Sequence, residues 1–220
     1  MCMRQYLVVG LGRFGSSLAK TLYNLGYDVM GIDRDEEIIQ NMADSITHAV
    51  QADATDENIL KALGVKNFDV AIVSIGDDIQ SSILITIMLK EMGIKYVVAK
   101  AQSQLHGKVL YKIGADRVVF PERDMGVRVA HNLIYSNILD YIELSPEYSI
   151  VEIAAVPAWF DKSLRQLDMR KKYGLNVMAI KRNNNDVIIS PHADDVIFKD
   201  DILVVVGHKE DIEKLERYFK

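Results

Sequence analysis

Short apolar runs alternate with segments of helical periodicity through roughly the first half of the chain. In the first helical segment, large apolar side chains recur every three or four residues, at Leu11, Phe14, Leu18, Leu22 and Leu25. This spacing places them on one face of an α-helix. The strand-like runs are residues 7–9, 29–32, 48–50, 71–75, 96–99 and 118–120. Strands that alternate with helices predict a doubly wound α/β fold, a parallel sheet covered by helices on both faces.

Glycine residues mark the ends of the predicted helices. Gly26, Gly64, Gly93 and Gly114 each precede an apolar run, where a helix commonly ends on a residue in left-handed conformation. Six strands complete the parallel sheet by residue 121, and we therefore expect a Rossmann-like core over 1–121.

The second part of the chain follows a different pattern. Residues 125–139 predict an amphipathic helix with Ala130, Leu133, Ile134, Asn137 and Ile138 on one side. Residues 145–147 predict a linker and residues 183–186 a turn. Four further strands are predicted at 150–156, 176–181, 187–189 and 202–206, with a short helix near 163–167. A terminal helix carries Ile212, Leu215 and Phe219 on one stripe.

These patterns predict two domains. The first, 1–140, is the Rossmann core extended by a connecting helix over 122–140, and the second, 141–220, is a small α+β domain. Because so short a segment buries only a modest core, we expect the second domain to pack against a partner or a second copy of the chain.

Composition limits the functional classes. The 220 residues are 49% hydrophobic and 26% charged, and the formal net charge of −5 gives no basic footprint for nucleic acid. The lone Cys2 excludes an internal disulfide and favours a reducing compartment. The first strand leaves no room for a signal peptide, and the apolar stretch 83–89 is too short to span a bilayer. We therefore expect a cytoplasmic protein that reaches a membrane only through a partner.

One glycine motif carries the main functional signal. The sequence Gly10-Leu11-Gly12-Arg13-Phe14-Gly15 directly follows the first strand, and Asp33 closes the second. In such a motif the first glycine permits a tight turn, the second lets the backbone approach a phosphate, and the third allows close helix packing. The helix N-terminus then favours anionic oxygens. The motif in this setting predicts an adenine-nucleotide site.

Arg13 adds a cation to this loop. A guanidinium between the second and third glycines can bind a terminal phosphate through two hydrogen bonds. The alternative is a solvated arginine on the first turn of a helix. Because a helix N-terminus disfavours positive charge, the position favours a phosphate partner.

Catalytic motifs do not occur in the sequence. The five histidines, His48, His106, His131, His192 and His208, stand in no catalytic pattern, and there is no GxSxG, HExxH or CxxC. We therefore predict a nucleotide-binding protein that is not an enzyme, with no catalytic residue. The alternative is an NAD(P)-dependent oxidoreductase with a small C-terminal dimerisation domain.

Several segments together resemble the RCK (KTN) family, in which a TrkA-N domain precedes a TrkA-C domain. The resemblance rests on the glycine motif and on Asp53-Ala54-Thr55, Ile75-Gly76, Lys100-Ala101, Gly114-Ala115-Asp116, Pro121-Glu122, 176–181, Ser190-Pro191 and 201–207. It covers essentially the whole chain, and within the family it is strongest for the regulatory subunits of Ktr potassium uptake systems.

The resemblance implies a function and an assembly. A homo-octameric cytoplasmic ring, peripheral to the inner face of the membrane, would dock under a membrane K⁺ channel or transporter subunit. ATP and ADP would hold the ring in different shapes and so control the pore. The resemblance implies no nucleic-acid partner.

The resemblance also implies the nucleotide-binding residues. They are Gly10, Gly12, Arg13, Phe14, Gly15, Asp33, Arg34, Asp35, Asp53, Ala54, Ile75, Gly76, Asp77, Lys100, Ala101, Gln102, His106 and Glu122. Arg13 would reach the phosphates and Asp33 the ribose. Glu122 would approach a divalent cation, Mg²⁺ or Ca²⁺, near the terminal phosphates, because a carboxylate there needs a metal to screen repulsion. Asp53 stands where family members often have glycine or asparagine, which leaves the choice among ATP, ADP and NAD(H) open.

Related subunits bind cyclic di-AMP at a dimer interface of the C-terminal domain. By resemblance, the corresponding residues here are Leu164, Arg170, Asn176, Val177, Pro191 and His192. Arg170 would contact phosphate and Asn176 with Val177 would contact adenine. The alternative is that 170–172 form a solvated basic turn.

Overall fold

The computed structural model describes residues 4–134, 138–182 and 186–219. The chain forms two compact units, Met1–Glu122 and Arg123–Lys220. This division differs from the boundary predicted after residue 140, which falls inside a strand of the second unit, Ile138–Glu143. Among the described residues, none of the helices has both the length and the apolar character that spanning a membrane requires.

The first unit is built on a six-stranded sheet. Its strands are β1 (Gln5–Val9), β2 (Asp28–Asp33), β3 (His48–Gln51), β4 (Val70–Val73), β5 (Tyr96–Lys100) and β6 (Arg117–Val119). Every pairing is parallel and the spatial order is β3-β2-β1-β4-β5-β6. This is the doubly wound order, with its switch point between β1 and β4. The predicted Rossmann-like fold is confirmed.

Five helices lie between these strands: α1 (Arg13–Asn24), α2 (Glu36–Met42), α3 (Glu57–Ala62), α4 (Ile79–Glu91) and α5 (Gln104–Lys112), with a short 3-10 helix at Val65–Asn67. The glycines predicted to follow helices have positive φ, +88° at Gly26, +68° at Gly64, +87° at Gly93 and +101° at Gly114. Their left-handed backbone ends each helix before the next segment, as the sequence predicts.

Both faces of the sheet are buried. Along β1, Leu7 and Val9 lie in the core on one face, and Val8 lies in the core on the other. This alternation follows from the two-residue period of a strand, and burial on both faces explains why the strands are almost wholly apolar. The polar side chains of these strands therefore lie at the strand ends and in the adjoining loops, where a site can form.

The second unit combines an antiparallel sheet with short helices. Helix α6 (Pro121–Ile134) leads into it, and the further elements are β7 (Ile138–Glu143), β8 (Tyr148–Ala154), a 3-10 helix (Pro157–Trp159), β9 (Lys162–Ser163), α7 (Leu164–Leu167), α8 (Met169–Tyr173), β10 (Asn176–Lys181), β11 (Val187–Ile189), β12 (Val196–Ile197), β13 (Ile202–His208) and α9 (Lys209–Phe219). The main sheet has the order β11-β10-β13-β8-β7, and β12 pairs with β9. The predicted α+β architecture is confirmed. Ile212 and Leu215 of α9 are buried as predicted, and the side chain of Phe219 lies outside the described residues.

The connecting helix is shorter than predicted at its C-terminal end. It begins at Pro121 and ends at Ile134, so the prediction that it continues to Leu139 is wrong. From Ile138 the chain pairs with β8, with Ile138 opposite Ile153 and Tyr141 opposite Val151. This long-range pairing outweighs the local helical periodicity. Asn137 and the side chain of Ile134 lie outside the described residues.

The predicted linker and turn have specific positions. Residues 145–147 form the hairpin turn between β7 and β8, in which the hydroxyl of Ser145 accepts hydrogen bonds from the N–H groups of Glu147 (3.3 Å) and Tyr148 (3.1 Å). The linker prediction is therefore wrong, because the turn joins paired strands within one unit. Of the turn predicted at 183–186, residues 183–185 lie outside the described part of the chain.

Candidate functional site

A cleft of about 350 Å³ opens at the carboxyl ends of the central parallel strands. It lies beside the switch point between β1 and β4, where ligands bind in open α/β sheets. Its lining residues are Val9, Gly10, Gly12, Ile32, Asp33, Arg34, Asp35, Ile38, Ala52, Asp53, Ala54, Thr55, Ser74, Ile75, Gly76, Asp77, Asp78, Ser81 and Ile85. The cleft therefore gathers the loops that follow four different strands.

Many of the predicted nucleotide-binding residues line this cleft. Those that do are Gly10, Gly12, Asp33, Arg34, Asp35, Asp53, Ala54, Ile75, Gly76 and Asp77. Those outside the lining are Arg13, Phe14, Gly15, Lys100, Ala101, Gln102, His106 and Glu122. The predicted set thus separates into a group around the cleft and a group that lies beyond its lining.

The glycine loop shows which of its glycines the chain needs for its own packing. Gly10 has φ of +88°, and a Cβ on Gly15 would overlap the carbonyl oxygen of Gly10 and the hydroxyl of Ser74. A Cβ on Gly12 would meet nothing within 4 Å. The fold itself therefore requires Gly10 and Gly15, while the missing side chain of Gly12 leaves open space. Such space is what a phosphate needs to approach the backbone.

No side chain caps the N-terminus of α1. Gly12 is its N-cap, so no side chain caps it, and its first turn holds no acidic residue. Arg13, the first residue of the helix, is exposed. Because the first N–H groups of a helix lack partners and carry partial positive charge, this end of a helix 12 residues long favours an anionic ligand.

Asp33 joins the end of β2 to the glycine loop. Its Oδ2 accepts a hydrogen bond from the N–H of Leu11 at 2.6 Å, and its Oδ1 accepts one from the N–H of Asp35 at 3.0 Å. Each carboxylate oxygen can accept more than one hydrogen bond. The residue can therefore hold the loop in place and still accept hydrogen bonds from the hydroxyls of a ribose.

Two further carboxylates of the cleft are held by neighbouring hydroxyls. Asp53 accepts hydrogen bonds from the hydroxyl (2.6 Å) and the N–H (2.9 Å) of Thr55, and these bonds lower its pKa. Asp78 accepts from the hydroxyl (2.6 Å) and the N–H (3.0 Å) of Ser81, with the same effect on its pKa. The charge of Arg34 lowers both pKa values further. Both groups are therefore ionised at neutral pH.

The charge of the cleft is strongly uneven. Its lining holds one cation, Arg34, and the carboxylates Asp33, Asp35, Asp53, Asp77 and Asp78. This part of the cleft favours hydroxyl and amino groups and repels phosphate. Anionic groups are favoured instead at the N-terminus of α1, beside Gly12.

Lys100 and Glu122 form an ion pair near the cleft. Lys100 Nζ lies 2.5 Å from Glu122 Oε1, and this hydrogen bond lowers the pKa of Glu122, with smaller contributions from the charges of Lys100 and Arg13. A Cβ on Gly76 would lie 3.3 Å from Lys100 Nζ. The lysine is therefore beside a residue of the cleft, although it does not line it.

Glu122 is also the predicted metal ligand. Within 4–134, 138–182 and 186–219, no group of three or more His, Cys, Asp or Glu side chains is placed to hold a metal ion. Glu122 offers one carboxylate, whose Oε1 is bonded to Lys100. A divalent cation here fits only if phosphate oxygens complete its coordination, so the cation stays a prediction.

Two of the predicted site residues that follow β5, Ala101 and His106, are packed inside the unit. His106 is 3% exposed, its Nδ1 accepts a hydrogen bond from the N–H of Gln102 at 3.4 Å, and burial lowers its pKa. Ala101 is also buried, while Gln102 is exposed. A direct contact of Ala101 or His106 with a ligand in the cleft is therefore not supported by this arrangement.

One of the residues predicted for cyclic di-AMP lines a pocket of the second unit. Arg170 lines a pocket of about 340 Å³ in the second unit, and the other five residues do not. Asn176 and Val177 begin β10, while the N–H of His192 donates to Asp195 Oδ2 at 2.6 Å. A site at a dimer interface would need residues from a second copy.

Sequence reasoning missed several residues of the cleft. Thr55, Asp78 and Ser81 line it, and Ser74 Oγ donates to the carbonyl oxygen of Val9 at 3.2 Å. A signal existed for Asp78, which follows β4 and precedes Ser81 by three residues, the spacing of an N-cap with its first turn.

Comparison with known proteins identifies the relatives of this chain. Residues 6–121 match the TrkA-N domain and residues 148–220 match the TrkA-C domain. Ktr system potassium uptake protein C of Bacillus subtilis (strain 168) is 50% identical, and protein A of the same strain is 48% identical. Each match covers 97% of this chain and 96% of the relative.

Solved structures share the fold. The crystal structure of the GsuK RCK domain covers 98% of this chain and 46% of its own, with 22% identity and a TM-score of 0.55. A crystal structure of GsuK bound to ADP covers 60% of this chain and 34% of its own, with 27% identity and a TM-score of 0.50. This chain therefore spans less than half of either structure.

These relationships settle the class of protein. The two relatives that are 48–50% identical over nearly the whole chain are Ktr system potassium uptake proteins, so the chain is not an enzyme and the oxidoreductase alternative is wrong. The resemblance to the RCK family is confirmed. The chain belongs to the family in which a TrkA-N domain is followed by a TrkA-C domain, together with the Ktr system potassium uptake proteins.

Proposed function

We propose that this chain is the nucleotide-binding regulatory subunit of a Ktr-type potassium uptake system. It takes ATP or ADP into the cleft of its first unit, and the bound nucleotide controls a membrane K⁺ channel or transporter subunit. The observation that carries the proposal is the open space at Gly12 beside the uncapped N-terminus of α1. The sequence similarity to Ktr system potassium uptake proteins supports a role of this site in potassium uptake.

The charges of the cleft support one orientation of the nucleotide. A bound nucleotide supplies two or three phosphate charges, which suit the free N–H groups of α1 and the guanidinium of Arg13. Asp33 accepts hydrogen bonds from the ribose hydroxyls. Ile38 and Ile75, which line the cleft, offer apolar contact for the base. The carboxylates around Arg34 repel any further phosphate on the ribose.

One comparison supports ADP and ATP as the nucleotides that bind in the cleft. A GsuK structure that shares 27% of its residues with this chain in the aligned region is bound to ADP. The extra carboxylate of Asp53 disfavours a further phosphate on the adenosine ribose, as in NADP(H), and acts equally on ATP, ADP and NAD(H). ATP and ADP are therefore our leading ligands, and NAD(H) is the alternative.

The connecting helix supports an oligomer. Residues 122–130 and Leu133 of α6 are exposed, including the apolar Met125 (53%) and Val129 (46%). Arg128 Nε donates to Asp140 Oδ1 at 2.7 Å, which ties the helix to the second unit. An apolar helix face that the chain does not cover fits contact with a second copy. We place the protein in a cytoplasmic homo-octameric ring, peripheral to the inner face of the membrane.

The ring explains how nucleotide binding could control a pore. A ligand shifts an equilibrium only through its different affinities for two conformations. Allosteric coupling is typically about 1–3 kcal/mol per site, and several sites acting on one assembly add their effects. Cyclic di-AMP, bound between two copies near Arg170 and Asn176, would act on the same equilibrium from the C-terminal unit.

A thermal-shift panel tests the nucleotide proposal. The full chain is heated with ATP, ADP, AMP, NAD⁺, NADH or cyclic di-AMP, and Asp33→Asn serves as the variant with a weakened ribose contact. We expect ATP and ADP to stabilise the wild type most, with smaller shifts for the variant. Stabilisation by NADH alone would contradict the proposal. K⁺ flux through the membrane subunit that does not change when ATP or ADP is added would also contradict it.

A further inference from the structure

The side chain of Ser74, just past the end of β4, packs against the glycine loop. Ser74 is 7% exposed, and its Oγ donates to the carbonyl oxygens of Val9 (3.2 Å) and Gly10. Its N–H also donates to the carbonyl oxygen of Val9, at 2.8 Å. We infer that Ser74 is a positioning residue, which orients the glycine loop for the phosphates of the nucleotide without binding them itself. The inference rests on the proposed nucleotide-binding function.

The peptide group between Gly10 and Leu11 is held from both sides. Its carbonyl oxygen accepts the hydrogen bond from Ser74 Oγ, and its N–H donates to Asp33 Oδ2 at 2.6 Å. Ser74 follows β4 and Asp33 ends β2, and these two strands flank β1 in the sheet. Because the C=O and the N–H of a trans peptide point in opposite directions, the two side chains together fix the plane of this peptide.

The backbone of Gly10 makes such a restraint necessary. Its φ of +88° lies in the left-handed region. Glycine enters this region at little cost, but it also has more backbone freedom than any other residue. A loop that begins with glycine therefore needs contacts from other segments to keep one conformation. The hydroxyl of Ser74 supplies such a contact at the residue where the chain turns from β1 towards α1.

The next peptide groups of the loop are also engaged within the chain. The carbonyl oxygen of Leu11 accepts a hydrogen bond from Ser16 Oγ, and that of Gly12 accepts one from the N–H of Ser16 at 2.8 Å. The first N–H groups of a helix lack partners within it, and at α1 no side chain caps them. The orientation of the Gly10–Leu11 peptide, which precedes them directly, therefore sets where these N–H groups point.

Close packing links the hydroxyl of Ser74 to the helix as well as to the loop. A Cβ added to Gly15 would overlap both Ser74 Oγ and the carbonyl oxygen of Gly10. The first turn of α1 therefore lies directly against the hydrogen bond between these two groups. A loop that lost this bond would shift together with the start of the helix.

This restraint should matter more for phosphates than for adenosine. In the proposed orientation, the ribose contacts Asp33 and the base contacts apolar residues, whereas only the phosphates reach the N–H groups beside Gly12. Hydrogen bonds weaken steeply when their distance and angle depart from the preferred geometry. Loss of the Ser74 hydroxyl should therefore reduce the affinity for ADP and leave the affinity for adenosine nearly unchanged.

Calorimetry on the full chain tests this difference, with adenosine measured by its competition with ADP. In Ser74→Ala, ADP affinity should be about threefold to tenfold weaker, and adenosine affinity should change by less than about twofold. Ser82→Ala is the matched control, because Ser82 is also buried, and within the described part of the chain its hydroxyl has no hydrogen-bond partner. Ser74→Thr, which keeps a hydroxyl, should bind ADP nearly as tightly as the wild type does.

The other outcomes overturn the inference. Wild-type ADP affinity in a folded Ser74→Ala would do so. Equal losses for ADP and adenosine, or equal losses in Ser74→Ala and Ser74→Thr, would do the same, because neither would trace to a hydroxyl that orients the loop. If Ser74→Ala does not fold, Ser74→Cys replaces it, since a thiol is only a weak donor. A wild type that binds no nucleotide would refute the proposed function as well, a result distinct from all the others.

Discussion

Lys100 Nζ lies 2.5 Å from Glu122 Oε1, which joins the end of β5 to the first turn of α6. The side chain of Lys100 is 12% exposed and that of Glu122 is 69% exposed. The lysine therefore depends on this partner more than the glutamate does, because a largely desolvated ammonium without a carboxylate is costly. Any cation that binds Glu122 must compete with Lys100.

This competition predicts how Lys100 affects divalent cations. In Lys100→Met, Glu122 loses its internal partner, so the Mg²⁺ concentration that half-saturates ATP binding should fall by about threefold to tenfold. Glu122→Gln should lose the Mg²⁺ dependence altogether. Calorimetric titrations of ATP at graded Mg²⁺ measure both effects. An unchanged Mg²⁺ midpoint in Lys100→Met would show that Mg²⁺ and the ammonium of Lys100 do not compete for Glu122.

Arg13 should distinguish nucleotides by their phosphate number. Arg13→Ala should weaken ATP binding about tenfold more than AMP binding, because only the outer phosphates lose a charge-assisted hydrogen bond. Arg13→Lys keeps the charge but not the paired donors, so its ATP affinity should lie between those of the wild type and Arg13→Ala. The measurement is the affinity of each variant for ATP and AMP. An equal loss for both nucleotides would mean that Arg13 is a surface residue without a phosphate partner.

Asp116 should have a structural role that depends on pH. Burial would raise its pKa, but hydrogen bonds from the N–H of Val97 (2.7 Å) and from Lys90 (2.9 Å) outweigh burial and lower it. A lowered pKa in the folded state adds stability above the ordinary pKa of aspartate, and this stability is lost as pH falls through the folded value. Asp116→Asn should lower the free energy of unfolding by about 1–2 kcal/mol at neutral pH.

Urea unfolding at several pH values checks this prediction. The difference between the wild type and Asp116→Asn should begin to shrink below about pH 4, the ordinary pKa of aspartate, and should be lost below the lower pKa of the folded state. Asp194→Asn is the control, because Asp194 pairs with Arg165 on the surface (81% and 67% exposed) and such pairs contribute little. If the effect of Asp116→Asn on the free energy of unfolding did not depend on pH, the negative charge of Asp116 would not be the source of the stability.

The sequence alone predicted those features that depend on a local motif or on a sheet topology with few alternatives. The glycine motif and Asp33 lie within one β–α–β unit, and right-handed crossovers leave few sheet orders for alternating strands and helices. The cleft at the carboxyl ends of β1, β2 and β4 follows from that order. Spacing therefore predicted the glycine loop and Asp33, whereas the other predicted residues of these loops were implied by the resemblance to the RCK family.

Long-range contacts account for what the sequence did not reveal. The end of the connecting helix depends on the pairing of Ile138 with Ile153, which no local pattern encodes. His106 is a similar case, because packing turns it inward. The engagement of Glu122 by Lys100, 22 residues away, likewise depends on β5 and α6 meeting in the folded chain.

The exposed face of α6 should govern assembly. Val129→Glu with Leu133→Glu places charge on apolar side chains that are 46% and 80% exposed. Because neither residue is buried within the chain, we expect the thermal stability of the monomer to change little and the oligomer to dissociate. Analytical ultracentrifugation at micromolar concentration measures the size. Lys108→Glu, on the exposed side of α5, is the charge control, and a wild type that sediments only as a monomer would refute the assembly.

Gly12 and Gly15 offer a matched pair that separates ligand binding from folding. In Gly15→Ala the added carbon meets the backbone carbonyl of Gly10, which cannot move aside as a flexible side chain would. This substitution should lower the free energy of unfolding by about 2–3 kcal/mol.

In Gly12→Ala the same carbon enters open space, and the cost should stay below about 1 kcal/mol because φ of −60° suits alanine. Gly12→Ala should nevertheless bind ATP at least about tenfold more weakly, since its methyl group fills the space that a phosphate needs. Urea unfolding and calorimetry measure the two effects independently. Wild-type ATP affinity in a well-folded Gly12→Ala would mean that the space above the loop has another use.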